Sequence, residues 1–352
     1  MVKMLRHRGP DDTGFYTDRD IGLAHARLSI IDLSGGKQPL CNEDKTIWVA
    51  LNGEIFNYVE LRRDLIARGH TFATQSDTEV IVHLYEQHGD DFVDHLNGQF
   101  AVALWDKKRR RLVLARDRVG IRPLFYTITD GRLIFASEIK SILATPGVKK
   151  HLNHQALAEA FTFWSVLPPA TLFEGISCLP PGHLMTVDLE TGAQSIRRYW
   201  DWQFPDSFDD GNRSTDDYAE ELRALLIDAV RLQLRADVPV GAYLSGGLDS
   251  SIITALVKHY TDSPLRTFSI AFEDAEFDES DFQRQAVEHL ETHHTQVRCT
   301  KTDICNAFPR TIWHAESTIL RTAPTPLMLL SAKVRDEGYK VVLTGEGADE
   351  VF

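Results

Sequence analysis

Leu244-Ser245-Gly246-Gly247-Leu248-Asp249-Ser250-Ser251 decides the fold of the second half of the chain, because it lies between an apolar run, VPVGAYL (238–244), and an amphipathic one, DSSIITALVKHY (249–260). Two glycines let the backbone approach an anion closely, and the serines add hydroxyl donors. The N–H groups that open the following helix point to the same place. This predicts a pyrophosphate cradle at a strand-to-helix junction. The stretch is neither a GxxxxGK[ST] loop nor a GxGxxG loop. A Gly-Gly turn with a Ser/Asp helix cap is the plainer alternative and would hold no ligand.

Working outward, strands and helices alternate. LRTFSIAF (265–272), TQVRC (295–299) and KVVLTG (340–345) read as strands. DESDFQRQAVEHLE (278–291), a segment around 302–315 and PLMLLSAKVRDEG (326–338) read as helices. Such alternation implies a parallel sheet covered by helices, with ligands at the C-terminal ends of the strands. Upstream, Ser214 or Thr215 caps a predicted helix over Asp217–Arg235, and the acidic, turn-rich stretch DWQFPDSFDDGNRSTD (201–216) reads as a linker.

The first two hundred residues are patterned differently. TIWVALNGEIF (46–56) alternates as a strand and YVELRRDLIARG (58–69) as a helix; Ser76 or Asp77 caps a second helix through TEVIVHLYEQHG (78–89). FAVALW and RLVLAR form one predicted hairpin, and PLFYTI and RLIFAS a second around Asp130-Gly131, which suits a type I′ turn. Antiparallel pairing dominates here.

The whole chain, 352 residues, allows about two domains at ~150 residues each. Hydrophobic residues at 43% and charged residues at 25% are globular averages, which exclude wholesale disorder. A net charge of −13 argues against a nucleic-acid or anionic-membrane partner. Cys41, Cys178, Cys299 and Cys305 form no CxxC pair, so a reducing, cytoplasmic compartment is expected. The longest charge-free apolar stretch, 160–173, is too short for a bilayer and contains Pro168 and Pro169. The first residues, MVKMLRHRGPDD, lack the apolar core of a signal peptide.

SGGLDSS resembles the loop of the ATP-pyrophosphatase family, whose members cleave ATP between its α and β phosphates to adenylate a carboxylate or carbonyl oxygen. LTGEGADEVF (343–352) is similar to a segment of asparagine synthetases. The resemblance implies that Leu244, Ile270, Thr344 and Gly345 contact the nucleotide, and that Ser245, Gly246, Gly247, Asp249, Ser250 and Ser251 hold the pyrophosphate. Glu346, Asp349 and Glu350 beside a triphosphate are tolerable only if a divalent cation such as Mg²⁺ bridges them, with Asp249 and Asp349 as its expected ligands. The resemblance assigns Glu346 to acyl-adenylate formation and Glu316 to handling the incoming amine; for Glu316 a solvated helix-end carboxylate is the alternative.

HRGPD (7–11), RLSIID (27–32), NGEIFN (52–57) and Ser76-Asp77 are similar to the glutaminase domain of class II amidotransferases, an N-terminal-nucleophile αββα fold. Glutamine is a zwitterion. Its carboxylate wants a guanidinium (Arg27) and its ammonium wants carboxylates (Glu54, Asp77), while the tetrahedral oxyanion needs donors from Asn52 and the Gly53 N–H. The resemblance adds Ile31 to this pocket. Singly each has a dull explanation, since Asn-Gly is a common turn and an isolated Arg is usually a surface charge.

The family's glutamine hydrolysis uses a cysteine at the mature N-terminus, its own amine acting as base. This chain reads Met1-Val2, and Cys41 is internal, so a missing N-terminal segment is expected. The sequence stops at Val351-Phe352 inside a motif that the family continues, so the other end is expected to be cut as well. DRVGIRPLFY (117–126), FASEIKSIL (135–143) and LPPGH (179–183) read as structural or interdomain segments.

The resemblance therefore implies an N-terminal-nucleophile αββα domain over 1–200 and a parallel-sheet ATP-pyrophosphatase α/β domain over 217–352. It implies a glutamine-hydrolysing asparagine synthase. One domain would release ammonia, a tunnel would shield it, and the other would form β-aspartyl-AMP, releasing AMP and pyrophosphate. Glutamine, aspartate and ATP are the expected small-molecule partners, with Mg²⁺ and with neither nucleic acid nor membrane; a homodimer is left open. The fragment itself is expected to be inactive or impaired. Two other readings stand beside this one: an amidotransferase or ring-closing synthetase acting on a different carboxylate, and a cysteine-less remnant that binds glutamine or ATP without turnover.

Overall fold

A computed structural model describes residues 1–204, 213–261, 265–274 and 276–351. The chain divides into two compact units, one of residues 1–204 with Glu316–Thr318, the other of 205–315 and 319–352. The linker expectation at 201–216 falls partly on 205–212, outside the described residues.

In the first unit β1 (Asp12–Thr17) and β2 (Gly22–Arg27) form a separate antiparallel pair. β3 (Leu40–Cys41) and β4 (Ile47–Ile55) follow, then α1 (Tyr58–Ala67), α2 (Glu79–His88), β5 (Gly98–Asp106) and β6 (Arg111–Arg116). β7 (Phe125–Thr129), β8 (Arg132–Ala136), α3 (Ile139–Leu143), α4 (His154–Phe163), β9 (Ser177–Cys178), β10 (His183–Asp188) and β11 (Gln194–Arg198) complete it. A six-stranded antiparallel sheet runs β11-β10-β6-β5-β4-β3, and a three-stranded one runs β8-β7-β9.

Period-two alternation sorts the six-stranded sheet's side chains between two cores. Ile47, Val49 and Leu51 of β4 and Phe100, Val102 and Leu104 of β5 face α1 and α2. Ala101, Ala103 and Trp105 of β5, with Leu112 and Leu114 of β6, face Leu23 of the first hairpin and Leu124 before β7. Ile134 and Ala136 of β8 then pack on Ile139 and Ile142 of α3. Helices, sheet, smaller sheets and helix thus stack in the order the αββα expectation requires. Asp130 and Gly131, at φ of 50° and 71°, both take the left-handed conformation of a type I′ turn. The cap of α2 is Thr78 without a side-chain bond, not Ser76 or Asp77; both of those side chains are occupied in the pocket described below.

In the second unit α5 (Thr215–Gln233) starts two residues earlier than predicted, with a reciprocal capping box between Ser214 and Asp217. β12 (Val240–Tyr243), α6 (Leu248–Tyr260), β13 (Arg266–Phe272), α7 (Ser280–Leu290), β14 (His293–Cys299), α8 (Lys301–Ala315), α9 (Pro324–Asp336) and β15 (Val341–Leu343) follow. The four strands are parallel in the order β14-β13-β12-β15. Val230 of α5 and Val257 of α6 pack on Ala242 on one face; Leu330 and Val334 of α9 pack on Phe268 on the other. The chain runs outward from β12 through β13 to β14 and then returns to β15 on β12's free side. That reversal is a topological switch point, and it opens a crevice at the C-terminal ends of β12 and β15. Among the described residues no helix is long and apolar enough to cross a membrane, and the four cysteines are free.

Candidate active sites

The first site is a polar recess in the first unit, lined by Arg27, Ile31, Gly53, Glu54 and Asp77 among others. It adjoins a larger cavity of about 150 Å³ that shares Gly53 and Glu54 and adds Asn52 and Arg122. β4 builds its floor. Alternation fails at Gly53, where Glu54 and Ile55 are both buried in succession. Gly53 sits at φ 146°, and a methyl group there would lie 1.9 Å from the Gln99 carbonyl oxygen of β5. Asn52-Gly53 is therefore not a turn but a kink within a strand, which turns Glu54 into the recess.

Glu54 and Asp77 are two buried carboxyls in one place. Burial, with the Asp77 charge adding, pushes Glu54 up to about 7 despite Arg122. Burial likewise pushes Asp77 up to about 6, against the Ile55 N–H and Ser76 hydroxyl that it accepts from. A buried acidic pair with raised pKa values is chemically a socket for an ammonium group. Arg27, 6% exposed at the end of β2, donates from Nη2 to the carbonyls of Ile31 (3.1 Å) and Asp32 (2.6 Å). It shapes the wall of the recess and keeps further guanidinium N–H groups for a carboxylate. Asp32, itself at φ 51°, fixes that wall by accepting from Gly35 N and Gln75 N. Asn52 donates to Ser137 Oγ at 3.2 Å.

Sequence reasoning missed Gln38, His25 and Arg122. Gln38 is buried, accepts from Leu51 N at 2.6 Å and donates to Thr78 Oγ1. His25 has Nε2 2.9 Å from the Leu51 carbonyl, and burial holds its pKa down at about 4. Arg122 faces Glu54, and burial pulls its pKa down. It lies in DRVGIRPLFY, whose loop is ordered by Asp117 accepting from Gly120, Ile121 and Arg122 N–H groups. Among the described residues no cysteine lines either cavity. Cys41 pairs with Trp48 across β3 and β4, and burial pushes its thiol up, which suits a structural residue.

Glu316 groups with this unit. Its carboxylate accepts from the Ile139 and Lys140 backbone N–H groups, each at 2.6 Å, at the start of α3, and from Lys140 Nζ at 2.9 Å. Lys140 also donates to Glu138 at 2.8 Å, and all three side chains are under a tenth exposed. Glu316 is thus a buried, fully engaged carboxylate rather than a solvated helix-end one.

The second site is the crevice at the switch point. Gly247 caps α6, whose first turn carries Asp249. Ser245 Oγ and Ser250 Oγ are 2.9 Å apart, Gly247 N donates to Ser245 Oγ, and Ser251 Oγ donates to the Gly247 carbonyl. Gly246, at φ 91°, runs against Phe282 and Gln283 of α7, where a side chain would clash. Gln283 in turn donates to the Ile270 carbonyl at 2.9 Å, fixing that predicted nucleotide contact at the end of β13. Leu244 is buried behind the loop. Thr344 and Gly345 continue β15 into the same crevice. A methyl group on Gly345 would lie 2.9 Å from both Asp249 Cβ and Ser250 N, so the two predicted loops touch. Glu346 and Asp349 are exposed on the rim.

Each unit thus holds one candidate ligand site, a recess with a buried carboxyl pair in the first and a loop-lined crevice at a switch point in the second. The family profile described as "Glutamine amidotransferase domain" matches residues 1–200, and that described as "Asparagine synthase" matches 221–352. Asparagine synthetase [glutamine-hydrolyzing] 1 of Bacillus subtilis is 37% identical over 352 residues, covering 100% of this chain and 54% of its own length. Amidase chyE of Penicillium rubens is 35% identical with 100% and 54% covered. Putative asparagine synthetase [glutamine-hydrolyzing] 2 of Methanocaldococcus jannaschii is 35% identical with 100% and 71% covered. The chain belongs to the asparagine synthetase family. It spans about half the length of several curated relatives that it matches.

Proposed function

We propose that the protein is a glutamine-dependent asparagine synthase, with the glutaminase unit over 1–200 and the synthetase unit over 217–352. The observation that carries this is the contact of the Ser245–Ser251 loop with the Thr344–Gly345 loop at a switch point, together with the buried carboxyl pair Glu54/Asp77. In the first unit Arg27 would take the glutamine carboxylate, Glu54 and Asp77 its ammonium, and Asn52 and the Gly53 N–H the oxyanion; Ile31 lines the wall. In the second unit the helix N-terminus and serine hydroxyls would receive pyrophosphate, Leu244, Ile270, Thr344 and Gly345 the nucleotide, and Glu346 would assist adenylation of aspartate. Asp249 and Asp349, on the two touching loops, are oxygen donors of the kind Mg²⁺ takes, and the ion would screen triphosphate charge. For Glu316 the amine-handling role requires release from Lys140; held as it is, it organises α3. A cytoplasmic location completes the reading, and a homodimer is left open.

The test is ATP–pyrophosphate exchange by the full-length protein. Exchange that depends on aspartate supports the proposal; exchange only with other acids moves the protein to the second reading. That reading is amidation of a different carboxylate.

A further inference from the structure

Away from both sites, Glu43, His70, His83 and Glu86 of the first unit bring four ligand atoms within 4.8 Å of one another. We propose that these four residues form a site for one divalent transition-metal ion of the zinc class, tying the β3–β4 loop, the end of α1 and α2 together. Glu43 comes from the loop, His70 from just beyond α1, and His83 and Glu86 from one face of α2 at i, i+3 spacing.

The spacing is that of a coordination shell. Bonds of about 2.0–2.1 Å to nitrogen and oxygen place tetrahedral ligands about 3.4 Å apart. His83 Nδ1 is 3.2 Å from Glu86 Oε2 and 3.7 Å from Glu43 Oε2. His70 Nδ1 is 3.4 Å from Glu86 Oε2 and 3.9 Å from Glu43 Oε1. Those four pairs need shifts of no more than about half an ångström, and the four ligand atoms all lie within 4.8 Å of one another before any ion draws them in. Two imidazoles and two carboxylates are a donor set suited to zinc rather than to Mg²⁺ or Ca²⁺.

The surrounding groups are those that orient metal ligands. The His83 ring is fully buried, with Nδ1 turned to the cluster and Nε2 making no hydrogen bond. Its Nε2 lies 3.7 Å from Glu79 Oε1, a buried carboxylate held by Ala73 and Thr74 N–H groups. With Nδ1 on a metal, Nε2 carries the proton and points it at Glu79. On the other ligand, His70 Nε2 is 2.7 Å from Gln87 Nε2, and turning that amide over by 180° would present its oxygen to an Nε2–H and leave Nδ1 for the ion. Asn42 Nδ2 donates to Glu86 Oε1 and Thr71 N to Glu43 Oε1, leaving the opposite lone pairs for the ion. The half-exposed Glu43 and Glu86 leave a way in from solvent. Neither the glutamine recess nor the nucleotide crevice uses any of the four.

The experiment is equilibrium dialysis of the chelator-stripped 352-residue protein against ZnCl₂, with CoCl₂ as a spectroscopic probe. One zinc per chain is expected, together with the visible absorption of tetrahedral Co²⁺. His70→Gln and Glu43→Gln, neither in the fully buried His83 position, should each weaken zinc at least tenfold and abolish the Co²⁺ bands. His95→Gln is the control, because the His88 and His95 rings lie 4.0 Å apart, tilted by 35°, and are another place where two histidines meet. Absence of bound zinc in the wild type, or equal zinc affinity in the wild type and both cluster variants, overturns the proposal.

Discussion

Glu54 and Asp77 carry the clearest consequence at the scale of the residue. Both ionise at higher pH in the folded protein than their ordinary values, Glu54 near 7 and Asp77 near 6. The native state therefore holds more protons than the unfolded chain from roughly pH 4 to 7. Stability is unpenalised below that window, falls as pH rises through it, and carries the full cost above it. Glu54→Gln removes Glu54's share. At about 1.4 kcal/mol per decade, the rise of Glu54 from 4.5 to about 7 bounds the gain at ~3 kcal/mol. We expect Glu54→Gln to stabilise the first unit by up to that amount at pH 8 and to change nothing at pH 4. Urea denaturation at the two pH values measures this; equal effects at both would contradict it. Glutamine should bind the wild type more tightly at pH 8 than at pH 5, because the ammonium needs ionised partners, and calorimetry would show that trend weaken in the variant, where Asp77 alone still ionises near 6. Lys140 makes the opposite case. It is the buried cation between Glu138 and Glu316, but Glu138 keeps His7 and Arg8 and Glu316 keeps two backbone N–H donors, so Lys140→Met should cost less than the ~3–5 kcal/mol of a buried charge left wholly unpaired, read as a fall in the thermal midpoint.

Among the elements, the loops after β12 and β15 can be dissected with two glycines that differ in one respect. Gly345 is packed against Asp249 and Ser250, whereas a methyl group on Gly347, at φ 94°, would meet nothing within 4 Å. Gly345→Ala must push the two loops apart, an overpacking cost of about 1–3 kcal/mol. We expect it to lower ATP affinity by at least tenfold, while Gly347→Ala bears only the strain of its backbone conformation and lowers it far less. Equilibrium dialysis with labelled ATP distinguishes them, and equal losses would show that contact between the loops is not what shapes the site. This contrast also marks what sequence reveals. The strands before SGGLDSS and GEG and the hairpins at 100–116 and 123–137 follow from local period and turn chemistry and lie where their patterns put them, whereas Glu54 and Asp77 come from the family resemblance. Gly53 is ambiguous in sequence because Asn-Gly suits a turn, and only the approach of Gln99 shows why a strand needs it. Gln38, His25 and Arg122 carry no local pattern: they reach the recess by way of a cis-peptide loop, a hairpin and a long return connection. The Glu43–His70–His83–Glu86 group is illegible for the same reason, since three separate elements assemble it.

For the whole molecule, two compact units with separate cores imply two separable ligand responses. A ligand that binds only the native form of one unit raises that unit's stability by RT ln(1 + [L]/Kd), about 2.7 kcal/mol at a hundredfold excess over Kd. Glutamine should therefore slow amide hydrogen exchange in the strand and loops carrying Arg27, Asn52–Glu54 and Asp77. ATP with Mg²⁺ should slow it around Ser245–Ser251 and Thr344–Gly345. Protection confined to the second unit with both ligands present would leave an ATP-binding protein whose carboxyl pair serves some other cation.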